Sequence, residues 1–374
     1  MWTLAGAGTE YTVALGGSRR WLELVAWGPR GVGAGPSPLA FHGRVQYMTE
    51  GDVAAIEYAT GGQRPFLGAD LVLADDRALS WEFAAAAPGR DDLRVTFTDP
   101  LTGLRAVQCY RFAPGTDVIE RWVELHHDGT SPLRIAELGS AGFCVPTPGG
   151  ARLSYLSGQW SQEFTPTTVE LARGRFEIGS AQGVTGHQFA PYLAVDNGDA
   201  VWGVALAWSG SWRITADADA AGLTRIRAGR ALTDGPITLA PGQSVTTPVA
   251  AGAYSAEGVD GLARIWHAYE RRLAGDRIDR VRPVVYNSWE ATLFDVTAEG
   301  QLALADVAAD LGVETFVVDD GWFTGRPDDH GGLGRLDPGP GEVPGRLRRV
   351  RRRGAQEGSR LRAVDRAGDG QPGE

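Results

Sequence analysis

Lysine is absent from the whole 374-residue sequence, so all 36 basic side chains are arginine. Heavy use of Ala, Gly and Pro accompanies that absence, which points to a GC-rich coding sequence. Positive charge is also in deficit. A formal net charge of −10 argues against nucleic acid or an anionic membrane surface as the main partner. Cysteine is scarce: the only two, Cys109 and Cys144, are far apart in apolar contexts, with no CxxC or His-rich neighbourhood. No metal spacing is present. A disulfide or two buried thiols both fit, and the apolar contexts favour thiols in a reducing compartment. No apolar stretch approaches the ~20 residues of a membrane helix, and MWTLAGAGTEYTV lacks the basic start and apolar run of a secretory signal. Together these absences predict a soluble cytoplasmic protein.

What is present suffices for two domains with sizeable cores. Residues 1–257 read as strand after strand. VIERWVELHHDG, LRIAELGSAGFCV, VWGVALAWSGSWRITADAD and SVTTPVAAGAY alternate apolar with polar residues between Gly, Pro, Asp and Asn turns, which predicts a large all-β sandwich. Trp160, Trp202, Trp208, Trp212 and Tyr192 fit its core, although Trp rings on sandwich strands also serve as sugar platforms. At Gly258 the period changes. Leu262, Ile265, Trp266, Tyr269 and Leu273 fall on one helical face, so residues 258–282 are expected to form a linker helix between domains.

Residues 283–334 carry the pattern of a parallel α/β unit. PVVYNSWEATLFDV reads as a buried strand with a polar, aromatic tip, TAEGQLALADVAADLG as a helix, and VETFVVDDGWF as a second buried strand ending in adjacent carboxylates. Short apolar runs of this kind fit strands buried on both faces, and in a βα-barrel such strand ends face the active site. Asn287, Ser288, Trp289 and Glu290 therefore crown the first strand, and Asp319, Asp320, Gly321 and Trp322 the second. Adjacent carboxylates at a strand end need hydrogen-bond donors. Sugar hydroxyls supply them, and an indole covers the apolar face of a pyranose. The alternative is that Asp319 and Asp320 cap the turn or helix that follows.

The stretch from Pro283 to Phe323 resembles the start of the catalytic barrel of glycoside hydrolase family 36, the bacterial α-galactosidases. SGQWSQEF (157–164) is similar to the family's G-x-W-x-x-E-F stretch and TGHQFAPYLAV (185–195) to its S-H-Q-x-x-P-F segment. The regions around GVALAWSGSW and 243–273 follow in the family's order. The resemblance implies an all-β supersandwich followed by a (β/α)8 TIM barrel, and hydrolysis of terminal α-galactosides of the melibiose or raffinose type with retention, without metal or cofactor. It implies that Asp319 and Asp320 hydrogen-bond the galactose hydroxyls and that Trp289 lines the same pocket. His187 is read as structural. Relatives also carry a G-D-F-R motif on the sandwich and often form oligomers. The corresponding stretch here, EYATGGQRPFLGADL, has Gln63 and Arg64 where that motif falls. Other readings are an α-N-acetylgalactosaminidase or galactosyl transferase of the same fold, or a non-catalytic carbohydrate-binding sandwich.

Retaining glycosidases need a nucleophile and an acid/base carboxyl flanking the scissile bond. In this family both are aspartates on later barrel strands, the nucleophile in a K-W-D motif. This chain has neither that motif nor a lysine to build it. A complete barrel takes roughly 200–250 residues, so the barrel is expected to be truncated and the chain inactive as translated. The run 335–374 carries ten Arg against six acidic residues, reversing the sign of the preceding charge, and is expected to be a disordered tail. With suitable codons for Arg335–Pro344, dropping one base yields D-W-T-P-D-P-E-R-F-P. The same shift over Arg362–Pro372 yields G-L-W-I-E-P-E-M-V-N-P. Both match family motifs in order and spacing, so a one-base frameshift near codon 334, in the gene or in its reading, is expected.

Overall fold

Strict alternation produces strands whose inner faces are fully buried. Along Asp92–Asp99, buried Leu93, Val95 and Phe97 alternate with half-exposed Arg94, Thr96 and Thr98, the period-two pattern of a sheet with one face against a core. The computed structural model describes residues 1–31, 55–63, 68–219 and 222–332, together with the backbone of 362–365. It divides into two units, Met1–Gly275 and Asp276–Glu374.

The first unit is a sandwich of antiparallel sheets. A 10-stranded sheet runs in the order Thr165–Leu171, Ala151–Ser157, Phe189–Asp196, Val201–Ala207, Val249–Ser255, Val118–His127, Leu104–Phe112, Asp92–Asp99 and Glu82–Pro88, with Ser244–Thr246 also on Val118–His127. A 6-stranded sheet orders Gly174–Ser180, Trp212–Ala218, Leu223–Arg230, Leu133–Pro146 and Ile237–Leu239, with Leu71–Leu73 also on Leu133–Pro146. Trp2–Ala5, Thr9–Leu15 and Leu22–Pro29 form a third sheet. One core joins all three through residues such as Tyr11, Val13, Ile119, Phe143, Val204 and Ile226. Trp202 and Trp212 are buried in it and Trp208 packs against it, whereas Trp160 is 75% exposed.

Two buried ion pairs tie Glu57 and Asp70 to this sandwich. Arg121 Nη2 meets Glu57 Oε2 at 3.0 Å and also donates to the Glu57 carbonyl at 2.8 Å. Tyr11 Oη donates to Glu57 Oε1 at 2.8 Å. Arg225 is paired with Asp70 and donates to the carbonyls of Ile56 at 3.2 Å and Gly68 at 3.1 Å. Charges persist in such an interior because each is both paired and hydrogen-bonded. Cys109 and Cys144 are buried and free, which settles the choice in favour of thiols.

Helix α1, Gly258–Ala274, forms where a linker helix was expected and packs on the sandwich. Leu262 is fully buried, Tyr269 Oη donates to Glu120 Oε1 at 2.8 Å, and the Trp266 ring meets Tyr192 edge-on at 5.9 Å. Gly203 permits the approach, since a Cβ there would lie 2.9 Å from Trp266 Nε1 and 3.0 Å from Leu262 Cδ2. Apart from Leu273, which is 66% exposed, this apolar face packs on the sandwich, and the first unit ends at Gly275.

In the second unit Val285–Asn287, Thr315–Val318 and Arg362–Asp365 form a parallel sheet in that order. Between the first two lie α2, Trp289–Thr292, and α3, Ala298–Asp310. Thr297 caps α3 by accepting from the Gly300 amide at 3.2 Å, as an N-terminal threonine does. Ala305, Ala308, Phe316, Val318, Trp322 and Phe323 make the core, and Tyr286 stacks on Phe316 at 5.0 Å. Val284 and Val285 remain more than half exposed. The strand Arg362–Asp365 corrects the expectation of a wholly disordered tail: RAVD pairs with the far edge of Thr315–Val318, whose unsatisfied backbone groups are a template for any short extended segment. The rest of 335–374, and Arg64, lie outside the described residues. Among the described residues no helix is long and apolar enough to cross a membrane.

Candidate functional site

The two strand tips expected to carry the site are neighbours, because Asn287 pairs with Val317 in the parallel register. Asn287 then works as a two-way bracket. Its Oδ1 accepts the Trp289 amide at 2.8 Å, and its Nδ2 donates to Asp319 Oδ2 at 2.6 Å. Ser288, 1% exposed, sits beneath: its amide donates to the Val317 carbonyl at 3.0 Å, and its Oγ accepts from the Asp319 amide at 3.1 Å. Asp319 and Trp289 are thus oriented by one amide side chain. Glu290 points to solvent and makes no such contact among the described residues.

Asp320 is held differently. Arg326 donates from Nε to both carboxylate oxygens at 3.0 Å and from Nη2 to Oδ2 at 2.7 Å. The Gly321 amide donates to Oδ1 at 2.8 Å. Arg326 is buried, its Nη1 donates to the Gly331 carbonyl at 2.8 Å, and its guanidinium lies 5.2 Å from the centre of the Phe294 ring. Its hydrogen bonds to Asp320 hold the guanidinium pKa above the ordinary value. Phe294 in turn meets Trp289 edge-on at 5.0 Å. A continuous set of contacts therefore runs from Trp289 through Phe294 and Arg326 to Asp320.

Gly321 makes the turn possible. Its φ is +87°, and a Cβ there would lie 3.0 Å from Phe294 Cα, so both backbone and space favour glycine. The capping alternative holds only in part: Asp320 accepts the next residue's amide, and no helix follows it among the described residues. Trp289, Asp319 and Asp320 are gathered at one end of the parallel sheet. Asp319 and Asp320 are acceptor-only groups when ionised, suited to hydroxyl donors, and Trp289 is a half-exposed aromatic face.

Sequence reasoning passes over Arg326 and Phe294. Two neighbouring carboxylates at a part-buried strand end require a cation, and Arg326 is the first basic residue after them, so that requirement was the available signal. Phe294 carried no signal beyond apolarity. His187 lies exposed in a loop, outside any core. Gln63 is tied internally, its Oε1 accepting the Thr60 amide at 2.9 Å.

Residues 77–240 match the glycosyl hydrolase family 36 N-terminal domain, and residues 244–359 match the melibiase domain, which continues past Gly334. The α-galactosidase AgaA of Geobacillus stearothermophilus is 32% identical over 252 residues, covering 65% of this chain and 34% of the relative. An α-galactosidase of Escherichia coli is 31% identical over 256 residues, covering 65% and 35%. The chain thus spans about a third of the length of these curated relatives. The crystal structure of AgaA superposes with a TM-score of 0.84 at 25% identity, covering 97% of this chain and 56% of that one. A variant of AgaA solved in complex with raffinose superposes with a TM-score of 0.84 at 26% identity, covering 97% and 56%. With its β-sandwich followed by the start of a barrel, this chain belongs to glycosyl hydrolase family 36.

Proposed function

We propose that this chain is the sandwich and barrel opening of a retaining α-galactosidase, and that as translated it binds terminal α-D-galactosides without cleaving them. The observation that carries this reading is the strand-tip cluster: Asn287 brackets Asp319 and Trp289, while Arg326 fixes Asp320. In this reading the parallel unit opens a (β/α)8 TIM barrel, whose strand ends face the substrate. Galactose hydroxyls donate to Asp319 and Asp320, and the indole of Trp289 covers the apolar sugar face. The substrate class we assign is galactosides of the melibiose or raffinose type, supported by the raffinose complex of the superposed AgaA variant.

Cleavage needs two carboxyls about 5–5.5 Å apart across the glycosidic bond, one of them to form a covalent galactosyl–enzyme intermediate. Asp319 and Asp320 are consecutive just past one strand end and committed to Asn287, Arg326 and Gly321. They grip rather than react. A chromogenic α-galactoside offered to the purified 374-residue chain is expected to give no turnover, while galactose binds in the millimolar range. Release of chromophore above the background rate would overturn the inactive reading, and no detectable binding would overturn the site.

A cytoplasmic location belongs to the same proposal and is supported by the two buried, unpaired thiols. So does the one-base shift near codon 334, supported by the two family motifs recovered together. Sequencing the gene across that codon tests it: a reading frame with no shifted continuation containing K-W-D contradicts the shift.

A further inference from the structure

We infer that Arg326 is a positioning residue of the candidate galactoside site: it sets the plane of the Asp320 carboxylate so that this group, with Asp319, can receive sugar hydroxyls. The inference rests on the proposed function and adds to it a residue that never touches the sugar.

Three anchors restrain the guanidinium. It makes a fork to Asp320, donates to the Gly331 carbonyl at 2.8 Å, and lies over Phe294 at 5.2 Å. A planar fork transmits its own orientation to the carboxylate it holds, which a point charge does not. Arg326 also answers an electrostatic requirement. Asp319 and Asp320 are successive residues at one strand tip, and Asp319 receives a neutral amide from Asn287. Arg326 beside Asp320 offsets the repulsion between two carboxylates carried by successive residues. Contact through Phe294 to Trp289 couples the carboxylate to the aromatic platform, so a shift of Arg326 disturbs both sides of the site.

A bracing role alone is the competing account. Arg326 closes the turn Gly321–Gly332, where a Cβ on Gly332 would lie 2.6 Å from the Gly325 carbonyl, and a residue that merely held this turn would also be missed on removal. The two roles separate in Arg326→Lys. Lysine keeps a charge over Phe294 and beside Asp320 but cannot form the fork.

The test is a calorimetric titration of the full 374-residue chain with methyl α-D-galactopyranoside, alongside thermal unfolding. Arg326→Gln is expected to weaken binding at least tenfold. Arg326→Lys is expected to recover the unfolding midpoint lost in Arg326→Gln but not the affinity. Unchanged affinity in Arg326→Gln, or recovery of affinity together with stability in Arg326→Lys, overturns the positioning role. Asp319→Asn serves as the control on the underlying site. Loss of binding there with Arg326→Gln unaffected removes Arg326 alone. Absence of binding in the unsubstituted chain removes the site and the role of Arg326 in it together.

Discussion

Asn287 donates through Nδ2 to Asp319 Oδ2 over 2.6 Å, joining the tips of two parallel strands that are 32 residues apart in sequence. The same side chain receives the Trp289 amide, so one neutral amide orients both a carboxylate and an aromatic ring. Replacing Asn287 by Ala is expected to weaken methyl α-D-galactopyranoside binding about tenfold, as loss of a hydrogen bond to a charged group costs about 1.5 kcal/mol or more. Asn287→Asp is expected to be worse, because it sets a like charge against Asp319. Calorimetric titration of both variants checks this, and wild-type affinity in Asn287→Ala would contradict it.

The Asp70–Arg225 pair lies deep in the sandwich, with side chains 0% and 2% exposed. Asp70→Ala strands the Arg225 charge, and a loss of about 3–5 kcal/mol is expected. The double replacement Asp70→Leu with Arg225→Met is expected to recover much of that loss, because it removes both desolvation penalties at once. Urea unfolding of both variants and the wild type measures the difference. A double variant no more stable than Asp70→Ala would show that Arg225 contributes mainly through its carbonyl contacts to Ile56 and Gly68.

Burial pushes the thiols of both Cys109 and Cys144 up to about 12. Because the thiolate is the reactive form, neither is expected to react with a disulfide reagent at pH 8 in the folded chain, and both should react in denaturant. Counting released chromophore before and after unfolding checks this; rapid native labelling of either would contradict its burial.

Hydrogen bonds from Arg94, at 2.6 and 3.1 Å, hold the Glu124 carboxyl below its usual pKa. A lowered folded-state value means the pair stabilises the fold above the unfolded glutamate pKa of ~4.3 and loses that contribution as pH falls through the folded value. Both groups are partly exposed, so the effect is expected to stay below about 1 kcal/mol. Arg94→Gln should therefore be slightly less stable than wild type at pH 7, and the difference should shrink as pH falls through the folded value. Urea midpoints followed down the acid range decide it, and a difference that persists at the lowest pH would assign Arg94 a packing role instead.

Much of the fold was legible in the sequence. The strand expected in VETFVVDDGWF appears as Thr315–Val318, whereas the buried strand expected in PVVYNSWEATLFDV is the short Val285–Asn287, with Val285 more than half exposed. Those elements depend on local periodicity and turn residues, which act over short separations. The surface that receives α1 was not legible, because amphipathicity states that a helix has an apolar face but not what covers it. Gly203 and Tyr192, more than fifty residues upstream, decide that. Arg362–Asp365 was missed because four residues of mixed character hold no strand signal until an open sheet edge offers them partners.

By itself the sequence determined that a β-rich region precedes a parallel α/β unit, that Trp289, Asp319 and Asp320 lie at strand ends, and that no lysine is available for a K-W-D motif. Tertiary structure alone decided how those ends are held. The amide of Asn287 reaches Asp319 only because parallel pairing sets the strands in register, and Arg326 reaches Asp320 only because glycine at 321 lets the chain turn back over Phe294. Periodicity encodes which face of an element is buried. Which polar groups meet at its end depends on distances between segments that the order of residues does not state.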